Sequence, residues 1–240
     1  MPRIPHISNF TDIEALSHEP EVEVIWTATP ARINAADAVI LPGSKNVIAD
    51  MAFLRKHNWQ IALDQYAVSG KGLVIGLCGG FQMLGKEIFD PDAVEGDRRE
   101  CAGLGLLDVV TRLDTKKVVQ RSDGTENLFH TPVSGYEIHM GKTERGADAQ
   151  PFVRLENETD GAISESGNVF GTYLHGLFDS GAFRKKFLEY VSEKKGMALN
   201  PDIERPDFWR VKEENYDRLA DHFERYTRVD EILQVMGLDT

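Results

Sequence analysis

The chain is poor in cysteine, in positive charge and in long apolar runs, and each shortage excludes a class of protein. Cys78 and Cys101 are the two cysteines among 240 residues, too few for a disulfide framework and without the spacing of a zinc site. The 27 Lys+Arg against 39 Asp+Glu give a net charge of −12, so no basic stripe exists to displace counterions from nucleic acid. No apolar run approaches the ~20 residues that span a bilayer, and MPRIPHISNFTD (1–12) lacks the apolar core of a secretory signal. We therefore expect a cytoplasmic protein without a metal site that binds neither nucleic acid nor membrane.

Strand-like and helix-like segments alternate through the first half of the chain. Strands are predicted at 21–26, 37–43 and 72–78, and helices at 45–58, 59–70 and 80–86. Such alternation requires crossover connections, which favour a mostly parallel sheet covered by helices on both faces. The fold class predicted is therefore α/β.

The middle and the end of the chain have a different pattern. Apolar segments separated by polar turns predict successive strands of an antiparallel or mixed section at 105–113, 133–144, 151–156, 161–167 and 168–176. Helices are predicted at 182–196 and 208–237, and a long surface loop at 90–103, which would hold Cys101 as an unreactive residue. With no repeat and no low-complexity linker, the economical interpretation is one domain over residues 1–240.

The segment VIGLCGGFQMLG (74–85) places Cys78 between an apolar strand and a helix. GLCGG matches the nucleophile-elbow pattern G-x-Nu-x-G, with Gly76 and Gly80 where a larger side chain would collide with the sharp turn. The amides that follow, beginning with that of Gly79, open a helix and can hold a developing oxyanion. The alternative is a small core residue flanked by glycines for close packing. We interpret Cys78 as a nucleophile.

A cysteine nucleophile needs a base, and His175 is the preferred candidate among seven histidines. It ends the apolar segment NVFGTYLHG (168–176), where a parallel sheet presents groups that bind ligands. His139 in GYEIHMGKT (135–143) is the second candidate, since strand alternation would bury it. That segment also superficially resembles a phosphate loop, but it has five residues between its glycines where four are required, and they are bulky.

At this point the motifs resemble a known family. LCGGFQMLG is similar to the nucleophile segment of class I (triad) glutamine amidotransferases. A narrower resemblance, to the glutaminase domain of cobyric acid synthases of cobalamin biosynthesis, is carried by PHISNFTD (5–12), LPGSKNVIADM (41–51), GYEIHMGKT (135–143) and GTYLHGLFD (171–179). The resemblance implies a three-layer, flavodoxin-like fold with a mixed, mostly parallel sheet and a C-terminal helical segment.

The resemblance also implies roles for individual residues. Cys78 would attack the carboxamide of L-glutamine to form a thioester, and His175 would move the protons. The amide of Gly79 and one from the turn at Gly43 would form the oxyanion hole, and Gln82 would help to hold the substrate, although without the resemblance it could equally be a helix-surface residue. Ser44 and Tyr136 would line the pocket.

The acid that orients the histidine is left open by the sequence. Most class I enzymes carry a glutamate two residues after the histidine, and here that position is Leu177. Glu137 or Asp179 could serve instead, and so could a Cys–His dyad, because a thiol is acidic enough to need less help than a serine.

The resemblance further implies a partner. Family members carry an ATP-dependent synthetase domain ahead of the glutaminase domain, and no phosphate loop precedes the glutaminase motifs here. We therefore expect no cofactor in this domain, ATP and magnesium acting only in a synthetase domain or subunit that amidates a corrinoid. The alternatives are another elbow-type cysteine hydrolase, such as a peptidase or γ-glutamyl hydrolase, or an inactive docking subunit.

Overall fold

A computed structural model of the chain describes residues 1–238. In this range the strands are β1 (Ile7–Ser8), β2 (Ala38–Leu41), β3 (Gly43–Ser44), β4 (Leu73–Leu77), β5 (Glu87–Phe89), β6 (Glu100–Ala102), β7 (Val109–Glu126), β8 (Pro132–Arg145), β9 (Ala149–Gln150), β10 (Val153–Leu155), β11 (Thr159–Asp160), β12 (Ala162–Ser164), β13 (Val169–Thr172) and β14 (Leu174–His175). The α-helices are α1 (Glu14–Ser17), α2 (Val47–Lys56), α3 (Trp59–Ser69), α4 (Gly79–Leu84), α5 (Gly181–Lys194), α6 (Phe208–Tyr226) and α7 (Val229–Val235).

The central sheet has the strand order β2-β4-β13-β12-β9. Strands β2, β4 and β13 are parallel, and β12 and β9 continue the sheet antiparallel. All five residues of β4 are buried, as expected for a strand covered on both faces. One apolar cluster includes Trp59 and Phe81, and a second includes Phe152 and Phe183. The predicted mixed, mostly parallel α/β sheet with helical layers is confirmed.

A second sheet is built on the long antiparallel hairpin of β7 and β8. The hairpin bulges between Leu113 and Val118, where residues 114–117 face a single residue of β8. Strand β14 leaves the central sheet and pairs with β8, which places His175 opposite Tyr136. The antiparallel section is confirmed, but β7 extends far beyond the predicted 105–113, because its polar second half is held by backbone pairing with β8 and β10 without an apolar pattern.

Two other predicted segments are wrong. Residues 21–26 form no strand: they pass the N-terminus, whose ammonium donates to the carbonyl of Ile25, and their valines are only half-buried. The loop at 90–103 ends early, because Glu100–Ala102 pairs with β5 as strand β6. Cys101 is therefore a buried strand residue, and burial raises the pKa of its thiol.

The C-terminal region forms two helices where one was predicted over 208–237. Thr227 has an extended backbone (φ −129°, ψ 141°), and the chain turns there between α6 and α7. Helix α6 packs through its first turn and leaves an apolar stripe exposed, formed by Trp209, Tyr216, Leu219, Phe223 and Tyr226. None of the helices within residues 1–238 has the length and apolar character needed to cross a membrane.

Candidate active site

Cys78 occupies the sharp turn between β4 and α4. Its φ of 49° and ψ of −108° are outside the ordinary regions for a residue with a side chain, as expected for a strained elbow. A Cβ on Gly80 would lie 2.1 Å from the carbonyl oxygen of Leu41, and one on Gly76 would lie 2.6 Å from the amide nitrogen of Phe81. Only glycine fits at both positions, so the local sequence enforces the turn.

His175 meets this turn from the end of β14. Its side chain is almost fully buried. Its Nδ1 lies 2.8 Å from Oδ2 of Asp12, and its Nε2 lies 3.0 Å from Nδ2 of Asn9. Burial by itself would lower the pKa of His175, but the hydrogen bonds and charges of Asp12 and Cys78 outweigh it and raise the pKa to about 10. Asp12 thus holds Nδ1 and Asn9 lies against Nε2, while the sulfur of Cys78 lies 3.8 Å from the carbonyl oxygen of Ile138.

Asp12 is the acid beside the histidine. It comes from the 3₁₀ turn Phe10–Ile13, is buried, and accepts a second hydrogen bond from the amide of Gly176 at 3.2 Å. The two acids considered from the sequence lie elsewhere. Oε1 of Glu137 accepts from Ser122 at 2.5 Å, and Oδ2 of Asp179 lies 3.3 Å from Nζ of Lys212. The feature of the sequence that could have identified Asp12 as this acid is its position at the end of PHISNFTD, one of the motifs that carry the family resemblance.

The alternative base, His139, is held away from this proton path. Its ring stacks on Tyr173 with centroids 3.8 Å apart, and its Nδ1 lies 2.8 Å from the carbonyl oxygen of Gly141. Tyr136 stacks on the imidazole of His175 at 5.1 Å and is 40% exposed. It covers the histidine and is not among the residues that line the cavity beside Cys78, in contrast to the pocket-lining role expected for it.

A cavity of about 270 Å³ opens beside the Cys78 sulfur. It includes Gly79, Gln82 and Ser44 of the predicted site residues, but not Gly43. The other lining residues are Ser8, Asn9, Lys45, Val94, Glu95, Leu113, Lys117, Ile138, His139 and Met140. A larger cavity of about 650 Å³, lined in part by His130 and Arg154, shares no residue with it.

Gln82 forms part of the cavity wall from the first turns of α4. It is buried, and its Nε2 donates to the hydroxyl of Tyr173 at 3.0 Å. A Cβ on Gly141 would lie 2.4 Å from that nitrogen, so a glycine in β8 makes room for the amide. The interpretation of Gln82 as a helix-surface residue is therefore wrong.

The amide that accompanies Gly79 at the cavity is that of Ser44. Gly43 is paired with Ser8 in the β1–β3 ladder, and the amide of Lys45 donates to the carbonyl of His6 at 2.9 Å. Donors alternate sides along an antiparallel strand, so the amide of Ser44 points away from β1. Its nitrogen lies 2.7 Å from the position that a Cβ on Gly79 would take. In the turn at Gly43 it is therefore the amide of Ser44 that lies beside Gly79, whereas Gly43 is paired with Ser8.

Comparisons with known proteins agree with this geometry. The family model of the CobB/CobQ-like glutamine amidotransferase domain matches residues 1–183. The cobyric acid synthase of Clostridium acetobutylicum is 41% identical over 240 residues, which cover 99% of this chain and 48% of that protein. That of Syntrophobacter fumaroxidans is 41% identical over 253 residues, covering 98% of this chain and 48% of the relative. The chain spans about half the length of these relatives.

Solved structures resemble the fold. The structure of PurLQS from Thermotoga maritima has a TM-score of 0.61 at 17% identity, covering 79% of this chain and 96% of that chain. A glutamine amidotransferase crystal structure has a TM-score of 0.57 at 17% identity, covering 80% of this chain and 96% of that chain. These likenesses confirm the predicted class I amidotransferase fold, and together with the family match they lead to one assignment. The chain belongs to the CobB/CobQ-like glutamine amidotransferase domain family.

Proposed function

We propose that this chain hydrolyses L-glutamine to glutamate and ammonia with Cys78 as the nucleophile. The observation that carries the proposal is the cluster of Cys78, which lines the cavity, with His175 beside it and Asp12 bound to the histidine. The cysteine comes from a strained turn, the histidine from a distant strand end and the acid from the N-terminal 3₁₀ turn. This is the arrangement of a nucleophile, a base and an orienting acid.

The reaction divides into acylation and deacylation. Cys78 gives its proton to His175 and attacks the carboxamide carbon of glutamine, and the amides of Gly79 and Ser44 donate to the oxygen that becomes negative. Collapse of this intermediate breaks the C–N bond, and His175 returns the proton to the leaving nitrogen, which departs as ammonia. Water then attacks the thioester with His175 as base, which releases glutamate and restores the thiol.

Recognition of free glutamine is supported by the charges around the cavity. Lys45 and Lys117 supply cations for the α-carboxylate, and Glu95 supplies an acid for the α-ammonium group. Gln82, held by Tyr173, contributes a side-chain amide for the reacting end. A glutamine within an α-peptide lacks at least one of these two charges, and a γ-glutamyl residue inside a polyglutamate chain lacks the α-ammonium group, so this cavity favours free glutamine over those substrates.

The ammonia would serve ATP-dependent amidation of corrin side-chain carboxylates, as in the synthesis of adenosylcobyric acid. The cobyric acid synthases matched here are about twice as long as the chain, and their remaining half is where we place the synthetase that uses ATP and magnesium. The exposed stripe of α6 offers an apolar surface for contact with such a domain or subunit.

Glutamine hydrolysis tests the proposal directly. Glutamate release is expected from the wild type and from Cys101→Ser, whereas Cys78→Ser and His175→Ala lose about 10³-fold or more. The analogue 6-diazo-5-oxo-L-norleucine should label Cys78, as located by mass spectrometry. Full activity of Cys78→Ser, or a preference for peptide or polyglutamyl substrates, would contradict the proposal. A protein with neither turnover nor labelling at Cys78 would instead be an inactive docking subunit.

A further inference from the structure

The strand that carries the Ser44 amide is too short to hold its own position. Strand β3 consists of Gly43 and Ser44, and its partner β1 consists of Ile7 and Ser8. An isolated ladder of this length has little stability in water. Yet both strands contribute residues to the wall of the cavity, and an oxyanion donor is effective only if it is held in place before the reaction.

One buried carboxylate ties the two strands together. Asp50 lies in the first turn of α2 and is fully buried. Its Oδ2 accepts from the hydroxyl of Ser44 at 2.5 Å, and its Oδ1 accepts from Nδ1 of His6 at 2.8 Å and from the amide of His6 at 3.3 Å. The carboxylate thus binds a residue of β3 and the residue that precedes β1.

The Ser44 hydroxyl extends this support to the next turn of the chain. Its Oγ accepts from the amide of Asn46 at 3.0 Å, and the side chain of Asn46 in turn caps α2 by accepting from the amide of Ala49. Ser44 and Asn46 are therefore both anchored to α2. The hydroxyl is used for this contact, so a role in binding substrate is left to the Ser44 amide.

The same three residues do not form a second nucleophilic site. In a serine hydrolase the histidine lies between the hydroxyl and the acid. Here the hydroxyl donates to Asp50 directly, and His6 binds the other carboxylate oxygen. The serine has no imidazole to remove its proton, so the cluster is suited to positioning.

We propose that Asp50 is a positioning residue for glutamine hydrolysis, which holds β1 and β3 so that the Ser44 amide meets the oxyanion formed at Cys78. This inference rests on the proposed glutaminase activity. It adds to that activity a residue that touches neither substrate nor nucleophile. The effect of Asp50 is confined to the step in which negative charge builds on oxygen.

Two reactions of Cys78 separate this role from general support of the fold. Hydrolysis of glutamine builds an oxyanion, whereas alkylation by iodoacetamide forms an S–C bond at a saturated carbon, expels iodide and builds none. In Asp50→Asn we expect kcat for hydrolysis to fall by roughly 10- to 100-fold, with KM changed less than about threefold and the rate of Cys78 alkylation within about twofold. Asp64→Asn, which removes a carboxylate from α3 outside the cavity lining, is the matched control and should behave as the wild type.

The outcomes that overturn the inference are equally definite. A folded Asp50→Asn protein with unchanged kcat, or one in which hydrolysis and alkylation fall together, rules out positioning of the oxyanion donor. If Asp50→Asn does not fold, Ser44→Ala decides, since it removes one contact and keeps the backbone amide. It should lower kcat by about fivefold or more without slowing alkylation, and unchanged kcat rejects the inference. A wild type unable to hydrolyse glutamine would reject the glutaminase and this role together, whereas equal activity of wild type and variants rejects this role alone.

Discussion

Oδ2 of Asp12 lies 2.8 Å from Nδ1 of His175, although 163 positions of the chain separate the two residues. The contact joins the N-terminal 3₁₀ turn to the end of β14 and is buried on both sides. It supplies a carboxylate beside the histidine, although the residue two positions after the histidine is Leu177. The proposed catalytic unit therefore has a third member from the opposite end of the domain.

Asp12→Asn should impair hydrolysis without unfolding the protein. The amide cannot stabilise a charged imidazole as a carboxylate does, and we expect a fall in kcat of roughly 10- to 1,000-fold. Because Asp12 raises the pKa of His175, the variant should lose activity at lower pH on the alkaline side of its profile. The measurement is kcat/KM against pH, and an alkaline limb that stays in place would contradict the orienting role. Asp179→Asn, which alters an acid beside Lys212, is the control.

Gly80→Ala should destabilise the fold itself. Its Cβ would lie 2.1 Å from the backbone oxygen of Leu41, and overpacking against backbone costs about 1–3 kcal/mol or more of unfolding free energy. Gly70→Ala is the comparison, because Gly70 has a φ of 60° with open space around it and should lose only about 1 kcal/mol through backbone strain. Urea unfolding measures the free energy of unfolding of both variants. Equal losses would contradict the prediction, because they would show that the backbone near Gly80 shifts to relieve the crowding.

Asp160 should make stability depend on pH. Burial raises its pKa from 3.8 to about 6, although hydrogen bonds from Thr172 and from backbone amides oppose the shift. The folded state then binds the proton more tightly than the unfolded state, so the contribution of Asp160 to the unfolding free energy falls as pH rises from about 4 to about 6.

The variant Asp160→Asn removes this titration. Its unfolding free energy relative to the wild type should rise across the same pH window, by on the order of 2 kcal/mol. Thermal or urea unfolding at a series of pH values gives the difference, and parallel curves for the two proteins would show that Asp160 does not titrate there.

The two cysteines should differ in reactivity. Cys101 is buried in β6 and burial raises the pKa of its thiol, so little thiolate is present at neutral pH. Cys78 is partly exposed at the cavity. Iodoacetamide at neutral pH should modify Cys78 at least about tenfold faster than Cys101 in the folded protein, as followed by mass spectrometry. The difference between the two alkylation rates should vanish in urea. Equal rates in the folded protein would contradict the prediction.

Local chemistry made parts of the structure predictable. The turn at Cys78, the strand before it and helices α2 and α3 follow from apolar patterns and from glycines a few residues apart. By contrast, residues 21–26 were wrongly predicted to be a strand, and the second half of β7 was not predicted. Residues 21–26 have a strand-like pattern, but their contact with the N-terminal backbone is a hydrogen bond at Ile25 and not a ladder, whereas the second half of β7 is paired with neighbouring strands without having the pattern.

The sequence alone determined that a cysteine sits on a strained turn and that the chain is α/β, because steric limits and side-chain periodicity act over a few residues. Only the tertiary structure decided that Asp12 meets His175, that the amide nitrogen of Ser44 lies beside Gly79, and that Asp50 binds both Ser44 and His6. Those contacts join segments far apart in the chain, and their partners are set by how the sheets pack, which no local pattern records.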